Sequence, residues 1–365
     1  MFDRRLIANF DWTLLILILT AATIGIINLY SSTSSWDISS LPIYLKQLYW
    51  LGIGFSIALC LTIFNYRHLE HLAIIAYVSC VGLLIAVLFF GKTIMGATRW
   101  IDLGLFNIQP SEVMKVVIII TLATFLSRHE SPQRYSLTEL IAPGLLLAIP
   151  VLLIMKQPDL GTAILLLFIG ITMVLFAGIR RSALIVLSLL ASCAIIGGWF
   201  MLHGYQKDRI RTFLDPERAP LGSGYHIIQS KIAVGSGGFW GKGFMQGTQS
   251  QLSFLPERHT DFAFSVFAEE WGLLGCTLLL GLYLFIILWG ILIARKADSS
   301  FGMYLAIGIT AMFFWHIFVN LGMVIGLLPV VGVPLPLFSY GGTSMVTTMI
   351  GVGLLLNISM RRFIF

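Results

Sequence analysis

The chain has 365 residues, 58% of them hydrophobic and only 11% charged, whereas soluble domains carry roughly 25% charged residues. This balance excludes a water-soluble globular enzyme, because apolar runs long enough to cross a bilayer, roughly 17–25 residues each, fill most of the chain. The net charge of +6 does not indicate nucleic acid, since the basic residues are scattered between apolar spans and form no patch.

Near-continuous apolar runs indicate helices; the strands of a membrane barrel would alternate polar and apolar residues. In chain order, ten spans are expected at about 12–30, 47–65, 71–91, 109–127, 138–155, 160–178, 182–202, 264–292, 303–328 and 341–360. The fold class is therefore all-α: one polytopic membrane domain over residues 1–365 with about ten transmembrane helices. The segment from Met1 to Arg5 leads into a first span that reads as retained, with no cleavable signal. One connection is long: residues 203–263 are rich in Gly, Pro and charge. Within it, Ile227, Ile228 and Ile232 recur at helical spacing around Gln229 and Lys231, which predicts a short amphipathic helix on the membrane surface. Gly235 to Gly243 follows, too glycine-rich to continue it.

Orientation follows from Lys and Arg in the short loops. With the N-terminus in the cytoplasm, the inner segments hold Arg4, Arg5, Arg67, Arg128, Arg134, Arg180, Arg181, Arg295, Lys296, Arg361 and Arg362. The short outer segments hold only Lys46, Lys92, Arg99 and Lys156. Both termini are thus expected in the cytoplasm and the loop 203–263 outside. The cysteines, Cys60, Cys80, Cys193 and Cys276, all lie in apolar segments and have neither metal-ligand nor redox spacing.

Nucleotide motifs fail. Around Lys242 a P-loop would need Gly where Ser236 stands and Ser or Thr where Gly243 stands, and the dinucleotide pattern meets Trp240. The candidate chemistry lies elsewhere. Glu112 and Lys115 share one face of the fourth span at i, i+3 spacing, and charges in apolar spans are costly and commonly functional. They predict a polar site opening outward; a structural ion pair is the plainer alternative. Gln109-Pro-Ser-Glu112 and Gln157-Pro-Asp-Leu160 open the fourth and sixth spans alike. Their prolines suit first helical positions, and both positive helix ends would face an outer cavity beside Arg99, Lys115 and Lys156, where they attract anions. Capping by Ser111 and Asp159 explains the same residues without a ligand.

The long loop ends in Phe254-Leu-Pro-Glu-Arg-His-Thr-Asp-Phe262. Asp261 at a membrane surface can act as a general base if it reaches a substrate hydroxyl, and His259 is a second candidate base. Glu257, Arg258 and Glu269 extend the polar cluster, with Glu270 beside it. A solvated helix start is the alternative. Leu328 to Ser344 carries three prolines and three glycines without charge, so it is not regular helix and must be buried in protein or line a cavity. The dispersed histidines form no protein-built metal site. A divalent cation, Mg or Mn, bridging Asp261 and a phosphorylated substrate is the one metal arrangement left open.

Taken together, Gly96-Ala-Thr-Arg-Trp-Ile-Asp102, Gln109-Pro-Ser-Glu112, Gln157-Pro-Asp159, Gly235-Ser-Gly-Gly238, Pro256-Glu-Arg-His-Thr-Asp-Phe262 and Ser339-Tyr-Gly-Gly342 resemble the SEDS family (shape, elongation, division and sporulation) of bacterial cell-wall proteins, over essentially the whole chain. Pro256 to Phe262 and Gly332-Val-Pro-Leu-Pro-Leu337 are similar to the elongation branch rather than the division branch. Trp271 departs from the Leu that relatives often have after the Glu-Glu pair. The resemblance implies a peptidoglycan glycosyltransferase of the bacterial cytoplasmic membrane that polymerises lipid II at the outer face. It implies Asp261 as the essential catalytic residue, with Glu112 and Lys115 important for activity. Arg99, Arg209 and Arg211 join Lys115 as candidates for the pyrophosphate, Gln109, Gln157 and Asp159 as supporting residues. The implied partners are a class B penicillin-binding transpeptidase and the MreC/MreD elongation complex. A lipid II flippase is the rival reading, since spans, buried charges and a lipid-open groove fit it too. A purely structural scaffold for a transpeptidase explains neither Asp261 nor the Glu112/Lys115 pair.

Overall fold

The computed structural model describes residues 9–33, 41–94, 97–102, 104, 107–129, 134–201, 204–216, 223–252, 254–255 and 257–362. The helices in chain order are α1 (Trp12–Thr33), α2 (Ile43–Ile63), α3 (His68–Phe90), α4 (Pro110–Arg128), α5 (Ile141–Lys156), α6 (Leu160–Ala177), α7 (Arg181–Met201), α8 (Gly204–Leu214), α9 (Ser223–Ser236), α10 (Thr248–Gln251), α11 (Ala263–Arg295), α12 (Ser300–Val324) and α13 (Gly342–Arg361). Each expected span has its helix. Among the described residues eight are long and apolar enough to cross a membrane; Ile141–Lys156 and Arg181–Leu190 are shorter apolar helices. The chain is a multi-pass helical membrane protein. The second helix starts four residues earlier than expected, so Lys46 lies inside it. The helix of the ninth expected span, α12, stops at Val324, ahead of Gly326 at φ 74°.

Burial sorts the helices. The apolar stretch of α4 is 83% buried and those of α12 and α13 are 78% buried, against 17% in α2 and 28% in α3 and α11. The first three therefore form the centre, and the others present Ile, Leu and Phe outward as a lipid-facing belt. All four cysteines are free, Cys80 and Cys276 buried, Cys60 and Cys193 exposed.

Between α3 and α4 the chain forms a ribbon that was not anticipated from the sequence: antiparallel strands β1 (Lys92–Ile94), β2 (Ala97–Asp102) and β3 (Asn107–Ile108) in the order β1-β2-β3. Lys92 faces Trp100, and Ile101 faces Ile108. Lys92 Nζ lies 3.0 Å from Asp102 Oδ2. The Gly104 amide and then the Lys92 ammonium hold the exposed Asp102 carboxyl below its usual range. Strands this short carry too little periodicity to stand out between two spans, yet β2 is what carries Arg99.

Part of segment 203–263 is folded against the bundle. The expected amphipathic helix exists as α9, but its buried face is Gly224, Ile227, Ser230 and Ala233, while Ile228 is half-buried and Ile232 exposed. The reason is Ser230, whose hydroxyl lies 2.8 Å from Ser265 Oγ and donates to the Val324 carbonyl at 2.6 Å. This helix is docked on α11 and α12 as well as amphipathic. The glycine stretch after it completes a broken helix. Gly272, at φ 62°, interrupts α11, freeing carbonyls before the break and amides after it. Residues 238–243 supply the partners: Lys242 and Gly243 amides donate to Glu269 and Glu270 carbonyls, and Leu273 and Leu274 amides to Gly238 and Phe239 carbonyls, all within 2.9–3.1 Å. A Cβ on Gly272 would lie 2.3 Å from Gly241 N, so the clasp closes only around glycine.

The segment between α12 and α13 is non-helical and buried, with Val333, Leu335, Leu337 and Phe338 in the core. Its backbone groups find side chains, as an apolar surrounding demands. Asn320 Nδ2 donates to Val333 O (2.7 Å), Tyr283 OH to Pro336 O (2.7 Å), and Gln47 Nε2 to Ser339 O (2.9 Å). Ser339 Oγ accepts from Leu335 N at 3.0 Å.

Candidate active site

The starts of α4, α6 and α13, strand β2, the turn before α11 and the buried segment after α12 converge on one cavity of about 430 Å³. Its wall brings together Arg99, Gln109, Glu112, Asp159 and Asp261, with Trp50, Trp100 and Tyr340 as aromatic lining.

Asp261 sits in the last turn before α11, half-buried. Its carbonyl accepts from Asn320 Nδ2 at 3.0 Å, so one fully buried amide ties the turn to Val333. A second tie runs from Tyr340 N to His259 O at 2.8 Å. Gly332, at φ 75°, lies beside the carboxylate, where a Cβ would make ordinary contact with Asp261 Oδ2 at 3.5 Å; the left-handed backbone is what favours glycine there. Glu257 closes the turn, its own Oε2 accepting from Thr260 Oγ1 at 2.9 Å.

Asp159 is fully occupied. It caps α6, accepting from Thr162 N (3.3 Å) and Thr162 Oγ1 (2.9 Å), and also accepts from Gln109 Nε2 (2.9 Å) and Ser111 Oγ (3.3 Å). Arg99 Nη1 lies 3.8 Å from its Oδ1, and Arg99 Nη2 donates to the Pro158 carbonyl. Asp159 thus holds Arg99 at the cavity wall. It also offsets the positive end of α6, so the anion site expected there is already occupied by a carboxylate of the protein. Two helix starts at this cavity without a side-chain cap are those of α4, after Gln109, and of α13, after Gly341. The sequence reading missed the second, because Gly341-Gly-Thr-Ser344 reads as a turn until α13 is seen to start on it.

Glu112 and Lys115 form the expected pair at 2.8 Å, but only Glu112 lines the cavity. Lys115 is 1% exposed, one turn deeper, and does not open outward. Its Nζ also lies 2.7 Å from His316 Nε2, and His316 Nδ1 lies 2.7 Å from Met312 O. His316 carries no signal in the sequence, being the one histidine of α12 with no charged residue in that helix.

The other candidates lie apart from the cavity wall. Gln157 is buried and donates to Leu84 O at 2.8 Å, joining α3 to the start of α6. Glu269 is fully buried and accepts from Lys242 Nζ (2.7 Å), Thr248 Oγ1 (3.0 Å) and Gln249 N (3.1 Å), which anchors α10. Arg258 is buried and Glu257 half-buried. His259 is half-buried, and its burial pushes the imidazole pKa below the usual value, against the pull of Glu257. It is neutral at neutral pH. Arg211 is exposed and lies 3.5 Å from Asp208; the Arg209 side chain lies outside the described residues. Among the described residues no group of three His, Cys, Asp or Glu could hold a metal ion. A cation at this cavity would therefore depend on Asp261 and the ligand's own oxygens.

The family model of FtsW/RodA/SpoVE, described as cell cycle protein, matches residues 11–363. The peptidoglycan glycosyltransferase MrdB of Escherichia coli (strain K12) is 42% identical, covering 97% of this chain and 94% of its own. The peptidoglycan glycosyltransferase RodA of Treponema pallidum is 33% identical, covering 98% and 99%. Among solved structures, one described as the structural coordination of polymerization and crosslinking by a peptidoglycan synthase complex superposes with a TM-score of 0.83 at 33% identity, over 98% of this chain and 99% of that one. The crystal structure of the Thermus thermophilus rod shape determining protein RodA gives 0.71 at 30%, over 97% and 98%.

Proposed function

The chain belongs to the FtsW/RodA/SpoVE family and is a peptidoglycan glycosyltransferase, and from that premise we propose that it polymerises lipid II in the cavity beside Asp261. The observation that carries this is the arrangement of the wall: a half-buried carboxylate, Arg99 and two uncapped helix starts around one cavity. Asp261 takes the proton of the acceptor sugar's 4-hydroxyl. The oxygen forms a bond to the donor anomeric carbon as the bond from that carbon to the pyrophosphate breaks. Polyprenyl pyrophosphate leaves, and the proton stays on Asp261. One displacement inverts the anomeric centre. Arg99 and the starts of α4 and α13 face the charge that develops on the leaving group. A Mg or Mn ion shared between Asp261 and the pyrophosphate would neutralise part of the same charge. Departure of the pyrophosphate drives the reaction, so no nucleotide site is required.

The charge count in the short loops supports placing both termini in the cytoplasm and the cavity with segment 203–263 outside the bacterial cytoplasmic membrane. The synthase complex that superposes on the chain supports a class B penicillin-binding transpeptidase as partner, working in the MreC/MreD elongation complex. A lipid II flippase is not favoured, since the named relatives are glycosyltransferases. The test is purified protein with its transpeptidase and labelled lipid II. Wild type should yield glycan chains and Asp261→Asn none; chains of normal yield from Asp261→Asn would remove the base assignment.

A further inference from the structure

Behind the cavity wall lies a chain of three buried polar side chains that the reaction scheme does not use: Glu112, Lys115 and His316, which are 6%, 1% and 4% exposed. The Met312 carbonyl can only accept, so His316 Nδ1 carries the imidazole proton toward it at 2.7 Å. That fixes the tautomer: Nε2 bears the lone pair and accepts from Lys115 Nζ at 2.7 Å. The ammonium has one further partner among the described residues, Glu112 Oε1 at 2.8 Å. The chain therefore ends on a carboxylate with one oxygen bonded and the other, Oε2, buried without a hydrogen-bond partner. Glu112 is also part of the cavity wall, with Asp261 in the same wall.

A buried carboxylate oxygen left without a donor is costly. Glu112 lies in the first turn of α4, at the helix start that has no side-chain cap. His316 belongs to α12, whose Asn320, one turn further on, holds the Asp261 turn. One face of α12 thus holds the Asp261 turn through its backbone carbonyl and Glu112 through Lys115.

We propose that His316 is a positioning residue: through Lys115 it holds Glu112 so that the second carboxylate oxygen is available to accept a hydrogen bond from a hydroxyl or amide N–H of the sugar substrate. This rests on the glycosyl-transfer reading of the same cavity. A glutamine at 316 can bring an amide oxygen close to the Nε2 position. Asparagine reaches only the Nδ1 position, keeping a polar group near Met312 and losing the acceptor for Lys115.

The experiment measures kcat and KM for lipid II polymerisation by the full chain with its transpeptidase, on variants checked for folding by elution profile and Tm. His316→Gln should keep kcat within about threefold of wild type, while His316→Asn should lose about tenfold or more in kcat per folded molecule, the size of one charge-assisted hydrogen bond. Equal losses in the two variants, or wild-type turnover in the asparagine variant, overturn the proposal. If the asparagine variant does not purify, the glutamine variant decides alone: near-normal turnover supports the role and a tenfold loss ends it. Asp261→Asn is run alongside. Normal polymerisation by that variant would remove the glycosyl-transfer site itself, whereas an inactive Asp261→Asn with an unaffected His316→Asn removes only the role of His316.

Discussion

At the end of the bundle where α1 begins and α13 stops, the polar side chains close on one another. Asp11 accepts from Trp289 Nε1 (3.0 Å), Ser359 Oγ (2.6 Å) and Leu14 N (3.1 Å), joining α11, α13 and α1. Asn357 donates to Phe64 O at 2.6 Å, and Arg128 pairs with Glu70 at 2.9 Å near the surface. At the other end the helices are broken or uncapped, α11 at Gly272, α4 and α13 at their starts. There a carboxylate oxygen of Glu112 is left without a partner. Both ends are built from acidic residues and amides. The difference is whether both carboxylate oxygens meet donors inside the protein, as in Asp11, or one is left buried without a donor in a residue of the cavity wall, as in Glu112. The first arrangement stabilises the fold; the second is what a site for a polar substrate needs.

This contrast can be broken by substitution. After Asp261→Asn, the largest effect is expected from Arg99→Ala. It removes the cavity's half-exposed cation, and polymerisation should fall by roughly 10²-fold, on the scale of losing one charged contact to a developing anion. Arg99→Lys should recover only part of that, since an ammonium cannot reproduce the guanidinium fork. A loss below twofold for Arg99→Ala would mean that the cavity does not hold the pyrophosphate there. At the far end, Asp11→Ala leaves three donors unpaired. It should cost about 1–3 kcal/mol of stability, read as a lower Tm, with turnover per folded molecule unchanged. A turnover defect at full folding would show that the two ends are coupled.

A smaller effect distinguishes the ends by pH. Burial lowers the pKa of both His259 and His226, so each stays neutral in the folded protein after the unfolded chain has begun to bind a proton. The unfolded state then holds more protons, and stability rises with pH in that window. The neutral histidines have their full effect above about pH 6.5, and stability should decline as pH falls below it. The check is Tm at pH 8, 6.5 and 5. His226→Phe keeps an aromatic ring against Phe262, which His226 stacks on at 6.1 Å, and should flatten the acid decline. An unchanged slope would assign the decline to other groups.

The helices were legible because a bilayer imposes long apolar runs, and the non-helical stretch up to residue 341 because proline and glycine refuse the helix. Glu112, Asp159 and Asp261 stood out as charges beside such runs. What holds them was not legible. Gln47 reaches a carbonyl 292 positions away and His316 a lysine 201 positions away. A single polar residue in an apolar span carries no trace of which backbone or side chain will meet it. The same gap explains Lys115: i, i+3 spacing puts it on the face of Glu112, but only the packing of α12 against α4 shows that it lies behind the wall. The ribbon carrying Arg99 was hidden by its shortness, and the positive end of α6 was already capped by a residue that also looked like a site.

The central claim is that the carboxylate of Asp261 takes the acceptor proton. The direct measurement is single-turnover polymerisation of labelled lipid II by Asp261→Asn, purified with its transpeptidase and matched to wild type in Tm and elution. No bond formation above background, with lipid II still bound at near wild-type affinity, is the result the account predicts. Glycan chains formed at a rate within tenfold of wild type would contradict it.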